Sequence, residues 1–180
     1  MLNEAQRAAL LEIARASVVA RVNGRSYAPP RVPALDQRAG AFVTLHRDGT
    51  LRGCIGSLGD TEPLVDVVAR CAAAAAISDP RFPPLDATAV GQVTLEISVL
   101  GPMEQVTDPT EIEVGRHGVV VKDGDRHGLL LPQVATEWGW DREELLAQTC
   151  VKAGLARHAW TGMGALVVHR FEAEVFGEVA

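Results

Sequence analysis

The sequence predicts an α+β fold, with the interleaving of an α/β protein, in which a mostly antiparallel sheet packs against helices. Helix-like and strand-like segments alternate along the chain, and two Asp-Gly pairs lie between strand-like runs, as in β-hairpins. Residues 93–99 alternate strictly between apolar and polar side chains, which is typical of a half-buried strand. With 180 residues, of which 47% are hydrophobic, the chain suits one domain over residues 1–180.

Three segments have the spacing and the end signals of helices. The first is predicted to begin after Asn3, a good capping residue, and to end at Gly24. The second, residues 64–77, is rich in alanine, which allows close packing against a neighbouring sheet. The third covers residues 141–154, from a capping aspartate to a terminal glycine.

The strands are predicted mainly as hairpins. One hairpin turns at Asp48-Gly49 and the other at Asp123-Gly124. A third strand covers residues 92–100, and residues 164–176 are predicted to form a single closing strand. The proline-rich segment at 78–85 ends the second helix and is predicted to be an ordered loop.

Charge and cysteine usage narrow the class of protein. The net charge of −6 and the scattered basic residues argue against nucleic acid as a partner, and no apolar run is long enough to span a membrane. Three widely spaced cysteines do not make a disulfide framework, so we expect a reduced, cytoplasmic protein. Cys71 and Cys150 fall in predicted helices and are expected in the core. The absence of paired cysteine or histidine motifs argues against a structural zinc site, and no residue is assigned as a metal ligand.

Cys54 is the first candidate for chemistry, because it lies between Gly53 and Gly56 in the segment "LRGCIG". Two glycines this close suggest that the backbone approaches a ligand, another strand or a bulge. In a regular strand Arg52 and Cys54 would point to the same face, where the arginine would favour a thiolate nucleophile. The alternative is that Cys54 is a small packing residue, and its spacing alone favours this interpretation.

Other candidates come from titratable residues at unusual positions. Glu96 interrupts an apolar strand, so it is either a solvated carboxylate or a general base. His117 precedes a glycine beside the second hairpin, where it would act as an acid or base or simply occupy the surface. Asp79 and Arg81 lie in the proline-rich loop, which would hold them toward a ligand or use them as a structural clamp.

These segments together resemble one protein family. The strings "LRGCIG", "SDPRFPPL", "LEISVL", "GLLLPQVA" and "WDREELLAQTCVKAGL" occur in the order found in the AMME chromosomal-region protein family, whose prokaryotic members are called AmmeMemoRadiSam system protein A. The resemblance covers nearly the whole chain. It implies a single family domain with a larger and a smaller lobe around a cleft that the "LRGCIG" segment faces.

The resemblance also implies partners but no established reaction. Its system name associates the family with a Memo-like protein, related to dioxygenases, and a radical-SAM protein. One hypothesis is an enzyme or enzyme subunit in which Cys54, Glu96 and His117 are catalytic. The other is a ligand-binding or adaptor protein of the same system. Under either, a small molecule would occupy the cleft. The cofactor remains unknown, and a homodimer is left open.

The residues that would bind the small molecule lie in "LRGCIG" and "SDPRFPPL", which we call the two signature segments. They are Arg52, Gly53, Gly56, Asp79 and Arg81. Arginine supplies a permanent positive charge for an anionic substrate, and glycine lets a ligand approach the backbone. These assignments, like the choice between enzyme and adaptor, are hypotheses from sequence.

Overall fold

The protein folds into two structural units. The computed structural model describes residues 1–162 and 166–179. The first unit consists of Met1–Leu100 and Glu174–Ala180, and the second of Gly101–Ala173. Each unit has its own sheet and its own apolar core. Within the described residues, no helix has the length and apolar character that crossing a bilayer requires.

The described residues form four α-helices and eight strands. The helices are α1 (Glu4–Val22), α2 (Leu64–Ile77), α3 (Pro132–Trp138) and α4 (Arg142–Lys152). The strands are β1 (Ala41–Arg47), β2 (Thr50–Ser57), β3 (Val93–Leu100), β4 (Glu104–Val106), β5 (Gly118–Asp123), β6 (Arg126–Leu130), β7 (Val167–Phe171) and β8 (Ala173–Gly177).

The first unit is a four-stranded sheet in the order β2-β1-β3-β8, with α1 and α2 on one face. β1 pairs antiparallel with both β2 and β3. Because side chains alternate along a strand, Val43, Leu45 and Ile97 point into the core under the helices. Their neighbours Thr44 and Glu96 therefore lie on the opposite face of the sheet.

Both ends of α1 follow from local sequence. The Asn3 side chain accepts the N–H of Gln6, and the Gln6 side chain accepts the N–H of Asn3, which completes a capping box. At the other end Gly24 adopts a left-handed conformation with φ of 69°. This conformation costs glycine little and lets the chain turn sharply away from the helix.

The second unit contains a sheet in the order β4-β7-β5-β6, with α3 and α4. Its core is formed by Val119, Val121 and Val168 from the sheet and by Leu145 and Leu146 from α4. The β5–β6 hairpin turns at Asp123-Gly124, where Gly124 has φ of 58°. Asp141 caps α4 by accepting the N–H of Glu144.

The α+β class and the predominance of antiparallel pairing are confirmed. The single closing strand is wrong: β7 belongs to the second sheet and β8 to the first, with Glu172 outside regular structure between them. Gly164 and Ala165, where that strand was predicted to begin, lie outside the described residues. α3 and β4 are additions that the sequence patterns did not predict, because each is too short to show a clear period.

Candidate functional site

Cys54 lies on the edge strand of the first sheet, in a row of three side chains that runs across the strands. Cys54 in β2 is opposite Thr44 in β1, and Thr44 is opposite Glu96 in β3. Residues opposite each other in antiparallel strands share a face, so all three point away from the face that the helices cover. Thr44 Oγ1 donates to Cys54 Sγ at 3.3 Å, and both Cys54 and Glu96 are half-buried.

The outer edge of β2 is closed at Cys54 by the loop that follows α2. Oδ2 of Asp79 accepts the backbone N–H of Cys54 at 2.9 Å. Since that N–H points away from β1, Thr44 and Cys54 form a non-hydrogen-bonded pair, the arrangement that brings side chains closest. The contact between Thr44 Oγ1 and the sulfur is therefore a consequence of the strand register.

Asp79 is itself fixed by Arg81. The guanidinium donates to both carboxylate oxygens, from Nε to Oδ1 at 3.0 Å and from Nη2 to Oδ2 at 2.7 Å. The Asp79 side chain is only 2% exposed, whereas that of Arg81 is 55% exposed. The hydrogen bonds from Arg81 hold the pKa of Asp79 well below its usual range, against the opposing effect of burial. The loop thus presents a permanent carboxylate to the strand edge.

β2 is irregular at Arg52. Gly53 is opposite Leu45 but Leu51 is opposite His46, so Arg52 is the extra residue of a β-bulge. The rule that alternate residues share a face does not hold across a bulge, so strand alternation does not by itself place Arg52 beside the sulfur of Cys54. Instead, Arg52 Nη2 donates to the carbonyl oxygen of Pro83 at 2.6 Å.

Phe82 lies within cation–π distance of both Arg52 and Arg81, the arginines of the two signature segments. The guanidinium carbon of Arg52 is 5.7 Å from the centre of the Phe82 ring, and that of Arg81 is 5.5 Å from it. Arginine prefers the face of an aromatic ring because the ring quadrupole attracts its charge. Nη1 of Arg52 is buried and has no hydrogen-bond partner among the described residues. The two segments therefore form one connected cluster.

Gly53 and Gly56 are required for packing. A Cβ on Gly53 would lie 2.2 Å from the carbonyl oxygen of Ala75 in α2, and one on Gly56 would lie 2.2 Å from the ring of Phe42. Neither glycine has a positive φ. The backbone of β2 therefore does approach its neighbours closely, as the sequence suggested, and these neighbours are a helix and an aromatic side chain. The two glycines are not needed for an unusual backbone angle.

His117 belongs to the second unit, in the loop before β5. It is 6% exposed, and its Nδ1 accepts the backbone N–H of Glu113 at 2.9 Å. Burial lowers the pKa of His117, and the positive charges of Arg170 and Arg116 act in the same direction. The first unit thus brings together all the other predicted site residues, while His117 is fixed by its own local turn.

His46 becomes a candidate only in the folded structure. It lies two residues after Thr44 on β1 and opposite Thr94 on β3, so it shares the face of Thr44 and Glu96. The period of two along the predicted hairpin strand indicates only that His46 shares a face with Thr44; the pairing with β3 adds Glu96. Among the described residues, no group of three or more histidine, cysteine, aspartate or glutamate side chains is arranged to hold a metal ion.

The other two cysteines are confirmed as core residues. Cys71 and Cys150 are both fully buried. Burial raises the pKa of the Cys71 thiol to about 11, and burial also raises the pKa of Cys150. Cys54 thus differs from both in being partly accessible to solvent.

Comparison with known proteins identifies the family. The AMMECR1 family model matches residues 11–176, which include β2 and the loop after α2. A protein of Thermococcus onnurineus is 44% identical over 182 aligned positions, covering 94% of this chain and 88% of its own. A protein of Methanothermobacter thermautotrophicus is 43% identical over 178 positions, covering 94% of this chain and 92% of its own.

A solved structure shares the fold. The crystal structure of the uncharacterized protein PH0010 from Pyrococcus horikoshii matches with a TM-score of 0.89 and 41% sequence identity. The match covers 94% of this chain and 89% of that one. These findings confirm the resemblance drawn from the sequence segments, and the chain belongs to the AMMECR1 family.

Proposed function

We propose that this protein is a Cys54-dependent enzyme or enzyme subunit that acts on a small molecule bound to the helix-free face of its first sheet. The observation that carries the proposal is the row Cys54–Thr44–Glu96, in which the Thr44 hydroxyl donates to the cysteine sulfur. A hydrogen bond donated to sulfur stabilises the negative charge that a nucleophilic thiolate carries.

The spacing of the row assigns different roles to its two ends. Cys54 and Glu96 are separated by one strand, which places their Cα atoms about 10 Å apart. Thr44, and not Glu96, is therefore the residue directly opposite Cys54 in the sheet. A small molecule lying over Thr44 would reach both groups. The Cys54 thiolate, its proton released to solvent, would add to a doubly bonded electrophilic carbon at one end, and the π-electron pair of that double bond would move to the neighbouring atom, which then takes up a proton. Glu96 would exchange a proton with the molecule at the other end.

The surrounding cluster supports this role by fixing Cys54. Asp79 holds the backbone N–H of Cys54, and Gly53 packs directly on α2, so the position of the sulfur is set by two independent contacts. A nucleophile built on a rigid strand edge loses little freedom when a substrate binds. His46, on the same face, offers a second group for proton transfer. In this proposal Arg52 and Arg81 position the loop, while His117 has no assigned step.

The family resemblance suggests where such a subunit would work. We propose that it acts in the cytoplasm with a Memo-like protein and a radical-SAM protein. Their direct association with this chain is part of the proposal.

A non-catalytic ligand-binding or adaptor role is the second candidate, and one observation favours it. The principal contacts of Asp79, Arg81 and Arg52 are internal: they complete the edge of β2 and the loop beside it. Two distinctive sequence segments can therefore be explained by folding alone. On this hypothesis Cys54 would pack or touch a ligand without reacting.

Complementation separates the two candidates. A host that lacks its own copy of the gene would carry wild type, Cys54→Ala or Cys54→Ser, and small-molecule extracts would be compared by mass spectrometry. The catalytic proposal expects both variants to lose whatever product wild type restores, while still co-purifying with the Memo-like and radical-SAM proteins. Full restoration by Cys54→Ala, with a melting temperature like that of wild type, would reject catalysis and favour the adaptor.

A further inference from the structure

We propose that a second site, a cleft between the end of α1 and the outer side of α2, binds a small organic anion through Arg21 and Arg25. The cleft has a volume of about 470 Å³, within the range of small-molecule sites. It lies entirely in the first unit and contains no residue of the Cys54 cluster. The inference therefore stands independently of the function proposed above.

The turn that ends α1 builds one wall of the cleft. The N–H of Gly24 donates to the carbonyl oxygen of Arg21 at 3.0 Å, and the N–H of Arg25 donates to that of Ala20 at 2.8 Å. This pair of hydrogen bonds is the Schellman arrangement, with Gly24 in the left-handed conformation. Because the chain reverses here, Arg25 and Tyr27 line the cleft together with Arg21 of the last helical turn.

Both acidic residues that line the cleft are paired with other arginines, so Arg21 and Arg25 are available to bind an anion. Glu62 pairs with Arg70 at 2.8 Å, and the other acidic residue of the lining, Asp66, pairs with Arg31 at 2.7 Å. The side chains of Arg21 and Arg25 make no ion pair or hydrogen bond with any described part of the chain, and both residues are exposed. In a protein of net charge −6, this is a local excess of positive charge. The guanidinium fork is suited to carboxylate and phosphate oxygens.

The floor of the cleft favours an organic ligand over a bare ion. It is lined by three alanines of α2, the buried Ala69 and the partly exposed Ala73 and Ala74, and Tyr27 lines it from the loop. Alanine leaves room that a larger side chain would fill. A flat apolar group would lie on these methyl groups beside the tyrosine ring while its anionic group reaches the two arginines.

The single tyrosine of the chain gives this cleft its own reporter. The full-length protein would be labelled with 3-fluorotyrosine and titrated with inorganic phosphate and with phenyl phosphate, at ionic strength held constant with sodium chloride. We expect a saturable shift of the one fluorine resonance with both probes and tighter binding of phenyl phosphate. A shift no larger than that given by chloride would contradict the claim that the cleft binds anions. Equal affinity for the two probes would contradict the claim that it prefers an organic anion.

Four substitutions test the residue assignment. Arg21→Gln and Arg25→Gln are each expected to weaken phenyl phosphate binding about tenfold, the size of one charge-assisted hydrogen bond. Arg47→Gln removes the same charge from β1, outside the cleft lining, and is expected to leave the dissociation constant unchanged. Ala73→Leu should block phenyl phosphate by filling the floor. Equal behaviour of the Arg21, Arg25 and Arg47 variants would contradict the proposal.

Discussion

The backbone N–H of Cys54 donates to Oδ2 of Asp79 at 2.9 Å, and this contact joins the two signature segments of the chain. The donor belongs to β2, which is an edge strand of the first sheet among the described residues. An unpaired edge is a site for unwanted strand pairing, so a carboxylate that occupies it has a structural value of its own. The same contact fixes the backbone of the candidate nucleophile.

Replacing Asp79 with asparagine should destabilise the first unit. The asparagine amide has one oxygen and no charge, so it cannot accept the hydrogen bonds of both Arg81 and Cys54 as the carboxylate does. The Asp79 side chain is only 2% exposed. Arg81 is 55% exposed, so water can solvate its charge after the substitution. We therefore expect the free energy of unfolding to fall by about 2 kcal/mol, which is less than the full cost of breaking a buried ion pair. Urea unfolding would measure it. Asp86→Asn, at an exposed turn in the same loop region, should cost less.

The stabilisation by Asp79 should depend on pH in a defined direction. Its pKa in the folded protein is lowered, chiefly by the hydrogen bonds from Arg81, relative to an unfolded value of about 3.9. A group with a lowered folded-state pKa stabilises fully above its unfolded pKa and loses that contribution as the pH falls toward the folded value. The difference in unfolding free energy between wild type and Asp79→Asn should therefore shrink below about pH 5. A difference that stays constant down to the acid transition would contradict this account.

Gly53→Ala tests the close approach of β2 to α2. The new Cβ would lie 2.2 Å from the carbonyl oxygen of Ala75, a backbone atom that cannot move without shifting the helix. We expect the free energy of unfolding to fall by about 3 kcal/mol, which is in the upper part of the usual range for overpacking. Gly59→Ala is the matched control, because the nearest atom to its Cβ is Thr61 Oγ1 at 3.8 Å. Equal denaturation midpoints for the two variants would reject the packing explanation.

Arg52 should be coupled to Phe82. Arg52→Lys keeps the charge, but one ammonium group cannot both donate to Pro83 as Arg52 does and lie flat over the ring. We expect the free energy of unfolding of Arg52→Lys to be about 1 kcal/mol lower than that of wild type. A double-mutant cycle with Phe82→Leu should give a coupling energy of roughly 0.5–1 kcal/mol. Additive losses would show that the contact between the ring and the guanidinium contributes nothing.

The sequence predicted local structure better than it predicted contacts between distant segments. Hairpin turns, helix ends and the buried positions of Cys71 and Cys150 depend on residues close in the chain, and these predictions are confirmed. The bulge at Arg52 depends on how β2 pairs with β1, and the need for Gly53 depends on a carbonyl in α2. Such contacts between distant residues leave no local pattern. The shared face of His46 and Glu96 likewise required the strand register.

Alkylation of the native protein tests the central claim most directly, because catalysis by Cys54 requires an accessible and reactive sulfur. Iodoacetamide would be added at about pH 8, near the value of a free thiol, and each cysteine would be followed by mass spectrometry. The account predicts rapid modification of Cys54, slow modification of the buried Cys71 and Cys150, and a slower Cys54 reaction in Thr44→Val. If Cys54 reacts as slowly as the two core cysteines, it is a packing residue and the proposed catalytic role is wrong.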